Sequence, residues 1–368
     1  MPSVTVIIPH FNRAELLRET LDSLARQSES SWEAIVVDDG SAPGEWEMAR
    51  SSFPDPRVAW IERDRSPKGP STCRNIGLAH ASGEFIVFLD SDDLLAPWCL
   101  RNRLALAKDH PEADLLVFPV LIFNRSPGDC DQLWNRLGPE DEAIPRFLRS
   151  DPPWCVTSPL WKRSALLALA GFNEQVHYGD DAELHLRALL GGLAVRQFPN
   201  ALPDTFVRRS DLARTTNTVS PDLMESRRER LFEGSRLLRQ HPTASFLAVW
   251  EGQYFVEAEF LLFNIAQPAA AIFRVLDDWE RAASPGWWRR LVVRNYFALA
   301  LVARQRVYLL LRVARRLAMT LLPPDYFPAR TGGQPARADG AMMDEVRSGH
   351  PDRPDGLGQP CPGKRSGE

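Results

Sequence analysis

Asp90, Asp92 and Asp93 fall within four positions at the end of the apolar run Phe85-Ile86-Val87-Phe88-Leu89. The run is short and does not alternate, so it reads as a strand buried on both faces. Its carboxylates then sit at the strand's C-terminal end, where open α/β sheets place their ligands. Asp90 and Asp92 flank a small serine, and like charges this close repel. A hard divalent cation resolves the repulsion, because Mg²⁺ and Mn²⁺ prefer oxygen donors and often share one or two carboxylates with substrate phosphates. The alternative is a strand that simply ends in an acidic turn.

The elements that would position these groups lie upstream. Val4 to Pro9 is a second short apolar strand, followed by the loop His10-Phe11-Asn12-Arg13 and a helical spacing of leucines from Ala14 to Arg26. Trp32 to Val37 is a third strand and also ends in acids, Asp38-Asp39-Gly40-Ser41. Val58 to Ile61 is a weaker strand, and Gly69 to Gly77 opens a helix carrying Arg74 and Asn75. The resulting order is strand, helix, strand, strand, helix, strand. That alternation predicts an α/β fold with a mainly parallel sheet and right-handed crossovers.

Val6-Ile7-Ile8-Pro9 with Phe11-Asn12, Val36 to Ser41, Cys73-Arg74-Asn75-Ile76-Gly77 and Leu89 to Asp93 come in this order, followed by Ala170 to Glu174 and Gly179 to Leu184. In this order and near this spacing they resemble a family 2 glycosyltransferase, over roughly residues 3 to 210. The resemblance implies a GT-A fold, Rossmann-like, and transfer of a sugar from a nucleotide-sugar donor, a UDP-sugar, with inversion and with Mg²⁺ or Mn²⁺. Pro9, Phe11 and Asn12 would wall the base. Asp38 or Asp39 would accept from the base N–H or the ribose hydroxyls. Arg74 and Asn75 belong to the nucleotide side. Asp92 would hold the metal, with Asp90 on the ribose or the metal, and Asp93 is read as a turn or helix-capping residue. Asp181 aligns with the family's general base and Asp180 with its acidic neighbour, at a position where relatives carry Glu. At a helix N-terminus the same carboxylates are also good caps. Arg208 or Arg209 stands where many relatives have an Arg beside a His for the diphosphate, but the His is missing.

The processive members' Gln-x-x-Arg-Trp motif does not follow Asp181, so a non-processive enzyme is expected. Its acceptor would be a glycan or a lipid-linked saccharide in cell-surface polysaccharide synthesis. A polyprenyl phosphate acceptor is the runner-up, and it would need no base. A nucleotidyltransferase or a catalytically dead nucleotide-binding protein are further alternatives. No G-x-G-x-x-G is present, which weighs against a dinucleotide oxidoreductase.

The chain has 368 residues and a net charge of −4, which implies no nucleic-acid partner. Its five cysteines form no C-x-x-C pair and read as reduced cytosolic thiols. The N-terminus enters the first strand at once, so no signal peptide is expected and the protein is placed in the cytoplasm. We expect a GT-A domain over 1–215, with a nucleotide-binding half at 1–95 and an acceptor half at 96–215, then a helical region at 216–285. A cationic amphipathic helix should follow over 286–322, and a disordered tail over 323–368. The stretch Trp287 to Met319 carries eight arginines and no acid. Read as one helix, it would either lie in the plane of an anionic membrane, placing the protein peripherally on its inner face, or pack on the protein with a solvated basic face.

Overall fold

The computed structural model describes residues 2–209, 221–241, 244–263, 269–303, 308–326 and 337–348. β1 (Val4–His10) is buried except at Pro9. Side chains alternate across a strand, so Val4, Val6 and Ile8 meet Leu17, Leu21 and Leu24 of α1 (Ala14–Ala25), while Ile7 packs on the opposite face. β2 (Trp32–Asp38) lies parallel to β1, with His10 level with Asp38. β3 (Val58–Glu62) lies parallel to β2.

Parallel neighbours need a crossover connection. α2 (Pro43–Ser52) supplies it, with proline in its first turn and Trp46 and Ala49 buried. The expected order omitted this helix. Its sequence is polar except for that one narrow stripe, so periodicity alone does not expose it.

α3 (Pro70–His80) follows and packs on β1 at Gly77, where an added Cβ would come within 2.4 Å of Ile7 Cγ2. Only glycine permits that approach. β4 (Phe85–Phe88) is buried throughout and pairs in parallel with β1, setting Phe88 level with Ile7. The next elements are β5 (Leu94–Leu95), α4 (Cys99–Asp109), β6 (Leu115–Val117), β7 (Val120–Phe123) and α5 (Ala143–Leu148). β8 (Pro159–Lys162), α6 (Arg163–Ala168), α7 (Asp180–Leu190), β9 (Val195–Gln197) and β10 (Thr205–Arg208) complete the α/β part. The main sheet has seven strands in the order β3-β2-β1-β4-β8-β6-β9, antiparallel only at β8. A smaller sheet has the order β5-β10-β7.

The helical region consists of α8 (Pro221–Gln240), α9 (Ala244–Phe263) and α10 (Ala269–Ala283). Its apolar residues join those under α5 and α7 in one continuous core that includes Leu184, Leu231, Trp250, Leu276 and Trp279. α8 is tied to its neighbours by charge, with Arg227 pairing with Glu257 and Arg228 with Asp278.

Two expectations for the C-terminal part fail. The stretch expected as one helix is two, α11 (Trp287–Ala303) and α12 (Tyr308–Leu321), which pack side by side. Tyr296 of α11 and Arg315 of α12 both reach Glu259 of α9, at 2.6 and 2.9 Å. Arg294 pairs with Asp277 and Glu280, and Arg289 with Glu251. Arginines read as one solvated face thus include three that neutralise acids of the helical region. Arg304 and Arg306 lie outside the described residues. The tail is not uniformly disordered either. α13 (Gly340–Ser348) buries Met343 and Val346 against Leu121, Phe123 and Phe206, and Arg347 donates to the Gly128 carbonyl. A charged, sparse sequence still docks when an i, i+3 apolar pair finds a hydrophobic face. The rest of the tail, 327–336 and 349–368, lies outside the described residues.

Candidate active site

A cavity of about 450 Å³ opens at the C-terminal edge of the main sheet. The strand register explains its contents. Because β1, β2 and β4 run parallel, the residues at and just past their ends converge: Pro9, His10 and Phe11 from β1, Asp39 from β2, and Asp90 to Asp93 from β4. Pro70 and Arg74 of α3, Asp181 of α7, and Val207 and Arg208 of β10 close the sides.

Arg74 is the hub. Its side chain is 5 % exposed, with Nη2 donating to Asp90 at 2.7 Å and Nη1 to Asp180 at 2.8 Å. Burial opposes its charge, but the carboxylates of Asp90 and Asp180 outweigh burial and hold its proton more tightly than in water. Asp180 also accepts from Ser71 Oγ at 2.7 Å. It is used in this network and does not line the cavity, whereas its neighbour Asp181 does. Burial first, and then the charge of Asp180, push the Asp181 carboxyl up to about 7, with Arg74 pulling the other way. Both carboxylates stand in the first turn of α7, after Gly179 at a φ of +70°.

The two acids after β2 separate by role. Asp38 accepts from the backbone N–H groups of Gly40 and Ser41 and from the Ser41 hydroxyl, so it builds the turn. Asp39 lines the cavity, held by Arg63 Nε at 2.7 Å and the Gly69 N–H at 3.0 Å. Asn12 and Asn75 are not in the lining. Asn12 accepts from the Ala42 N–H and gives its own N–H to Ser41, clamping one loop to another. Asn75 exchanges two hydrogen bonds with the backbone of Phe172, at 2.8 and 2.9 Å, and so ties the 171–174 loop to α3. Phe11 is 42 % exposed at the cavity mouth, under the Lys68 ammonium.

Asp92 is paired with Arg13 at 2.8 Å. Asp93 is buried, accepts the Arg208 N–H, and precedes β5. The turn reading therefore stands, but the helix-cap reading does not, since α4 begins only at Cys99. Arg208 Nε donates to the Asp92 carbonyl, while Arg209 turns toward Gln132, away from the cavity. Among the described residues no cluster of three or more His, Cys, Asp or Glu forms a self-sufficient metal site. Asp90 and Asp92 nevertheless fit an Mg²⁺ or Mn²⁺ shared with a diphosphate. Both line the cavity, both offer hard oxygens, and such a site needs only one or two protein carboxylates.

Several lining residues carry no sequence signal. Arg13 follows a recognisable strand end, but its pairing with Asp92 spans 79 residues. Trp134, Val156 and Thr157 come from a long connection without a motif. Cys155 also lines the cavity, but burial pushes its thiol up to about 11, which disqualifies it as a thiolate nucleophile near neutral pH. His10 is buried against Trp46, and burial lowers its pKa, favouring the neutral ring despite Asp38 and Glu45 nearby.

A twisted, mainly parallel sheet with acids gathered at its C-terminal edge and a smaller sheet beside it defines a GT-A fold of the nucleotide-sugar glycosyltransferase type. Comparison with known proteins agrees. The Glycosyl transferase family 2 model matches residues 5–151, and over this segment the chain is similar to that family. The succinoglycan biosynthesis protein ExoO of Rhizobium meliloti is 28 % identical over 238 residues, which are 61 % of this chain and 66 % of that protein. A Campylobacter jejuni GalNAc(5)-diNAcBac-PP-undecaprenol beta-1,3-glucosyltransferase is 34 % identical over 110 residues, 30 % of this chain and 36 % of that protein. The chain thus spans less than two thirds of the length of either relative. The crystal structure of Staphylococcus aureus TarS 1–349 with UDP-GlcNAc shares the fold at a TM-score of 0.60 and 20 % identity, covering 96 % of this chain and 93 % of that one.

Proposed function

We propose that this protein transfers one sugar, with inversion and without processivity, from a nucleotide-diphosphate sugar to a hydroxyl of a glycan or lipid-linked acceptor. The observation that carries this reading is the Arg74 fork, which draws donor-side Asp90 and acceptor-side Asp180 to one guanidinium and sets Asp181 on the same cavity. A UDP-sugar is the donor we favour, as in the TarS complex. Cell-surface polysaccharide synthesis on the cytoplasmic side is the setting we favour, in keeping with the name of ExoO.

In this reading the base lies between Pro9 and Phe11, and Asp39 accepts from the base or ribose. Asp90 and Asp92 hold the divalent cation, which when bound neutralises charge on the departing diphosphate. Arg13, paired with Asp92, and Arg208, bonded to the Asp92 carbonyl, line the same cavity and steady the phosphates. Asp181 takes the proton of the acceptor hydroxyl as its oxygen attacks the anomeric carbon. The C–O bond to the β-phosphate breaks, and the electron pair leaves with the nucleoside diphosphate. A carboxyl raised toward 7 is well matched to proton abstraction near neutral pH. An already ionised polyprenyl phosphate would make no use of it.

The test is a panel of nucleotide sugars incubated with the protein, with the released nucleotide identified. Nucleoside diphosphate release that requires the active site supports the proposal. Pyrophosphate release would instead make the protein a nucleotidyltransferase.

A further inference from the structure

The α11–α12 hairpin buries one side and exposes the other. On α11 the inward side chains are Val293, Tyr296, Phe297 and Ala300. Its outward side carries Trp287, Trp288, Leu291, Leu299 and Val302, with Trp287 75 % and Val302 71 % exposed. At 100° per residue these five occupy an arc of about 120°, so they form one stripe. On α12, Val313, Leu317 and Leu321 are exposed at four-residue spacing. Arg312 and Arg316 are exposed one position ahead of the first two, so a basic row runs beside an apolar one. An apolar surface of this extent on a folded protein marks an interaction site.

Charge decides what covers it. The stretch 287–322 contains no Asp or Glu, in a chain whose net charge is −4. Arg289, Arg294 and Arg315 turn inward to acids of α9 and α10, while Arg290, Arg312 and Arg316 remain exposed around the apolar rows. A second copy of the chain would place the same patch on both sides of a two-fold interface and set arginine against arginine. Vicinal tryptophans next to arginines match the boundary of a lipid layer, where indole rings sit at headgroup depth and guanidinium groups meet anionic phosphates. None of the described helices is long and apolar enough to cross a membrane.

We infer that the exposed side of the α11–α12 hairpin docks the protein on the surface of an anionic bilayer. The apolar rows enter the headgroup region, and Arg290, Arg312 and Arg316 contact the lipid phosphates. This inference does not depend on the proposed transfer reaction.

The full-length protein is sedimented with phosphatidylcholine vesicles that contain or lack phosphatidylglycerol. Binding should be at least about tenfold stronger to the anionic vesicles and should weaken as salt rises. The triple variant Leu291→Ser, Leu299→Ser, Val302→Ser alters only exposed stripe positions, and it should lose binding while keeping its melting transition. Should that variant fail to fold, Arg312→Gln with Arg316→Gln reads the same surface by removing the preference for anionic vesicles. Equal binding to both vesicle types, or full binding by a folded triple variant, overturns the inference. It is also overturned if sedimentation equilibrium shows the wild type as a dimer that the triple variant dissolves, since the face would then join two copies.

Discussion

Arg74 Nη1 and Asp180 Oδ2 lie 2.8 Å apart although 106 residues separate them in the chain. The other arm of the same guanidinium meets Asp90 at 2.7 Å. A planar fork is the side chain suited to join two carboxylates in fixed directions. Its effect is to couple the loop after β4, on the donor side, to the first turn of α7, on the acceptor side.

Replacing Arg74 should therefore affect stability and reaction together. Arg74→Ala leaves two carboxylates facing each other and should destabilise the fold by about 2–3 kcal/mol, below the usual cost for breaking a fully buried pair because Asp90 is partly exposed. Arg74→Lys keeps the charge but cannot fork, and should recover stability better than turnover. Denaturant melts beside transfer rates check this. Equal activity in the lysine variant would mean that turnover does not need the fork.

Asp181 should impose an acid limb on the pH profile. A base must be deprotonated to work, and its carboxyl titrates at about 7, so kcat/KM should rise with pH until about 7 and then level off. Asp181→Asn should lower turnover by about 10²–10⁴-fold while donor binding stays near normal. The linkage to stability has the opposite sense. A folded-state value raised above the ordinary aspartate range means that the folded protein holds a proton the unfolded chain has lost. Stability therefore falls as pH rises toward 7, and Asp181→Asn should remove that decline. Parallel thermal melts at pH 5 and 8 read it directly.

Asp92→Ala should reduce transfer by roughly 10²-fold or more, as expected on removing a preorganised charge stabiliser. EDTA should do the same to the wild type, with Mg²⁺ or Mn²⁺ restoring activity. Calorimetric titration of Mn²⁺ with UDP present gives a reading independent of turnover, and undiminished heat in the variant would remove Asp92 from the metal site.

Gly77→Ala should be costly for a residue that touches no ligand. Its Cβ would sit 2.4 Å from Ile7 Cγ2, so α3 must move off β1. Overpacking of this kind costs about 1–3 kcal/mol. Because Arg74 stands one turn earlier on the same helix, donor affinity should fall along with the melting temperature. An unchanged melt would mean that the helix shifts freely.

Much of the α/β framework could be read from the chain by itself. Val4 to Pro9, Trp32 to Val37 and Phe85 to Leu89 are short apolar runs ending at polar residues, and such runs carry their own evidence for buried strands. The acids that end the second and third of these runs were legible from the same local pattern, and Asp180-Asp181 from the family resemblance. What tertiary structure decided depends on partners far away in sequence. Asp38 and Asp39 are alike as residues, but the turn consumes the first and leaves the second facing the cavity. Asn12 and Asn75 stand in recognisable motifs, yet they clamp loops whose proximity only the packed fold creates. Arg13 reaches the cavity because β1 and β4 are neighbours in the sheet. The arginines of 287–319 make one basic face only on a single continuous helix. Folded as two helices against α9 and α10, three of them meet Glu251, Glu280 and Glu259, because a partly buried carboxylate gains from a cation supplied by whatever segment packs over it.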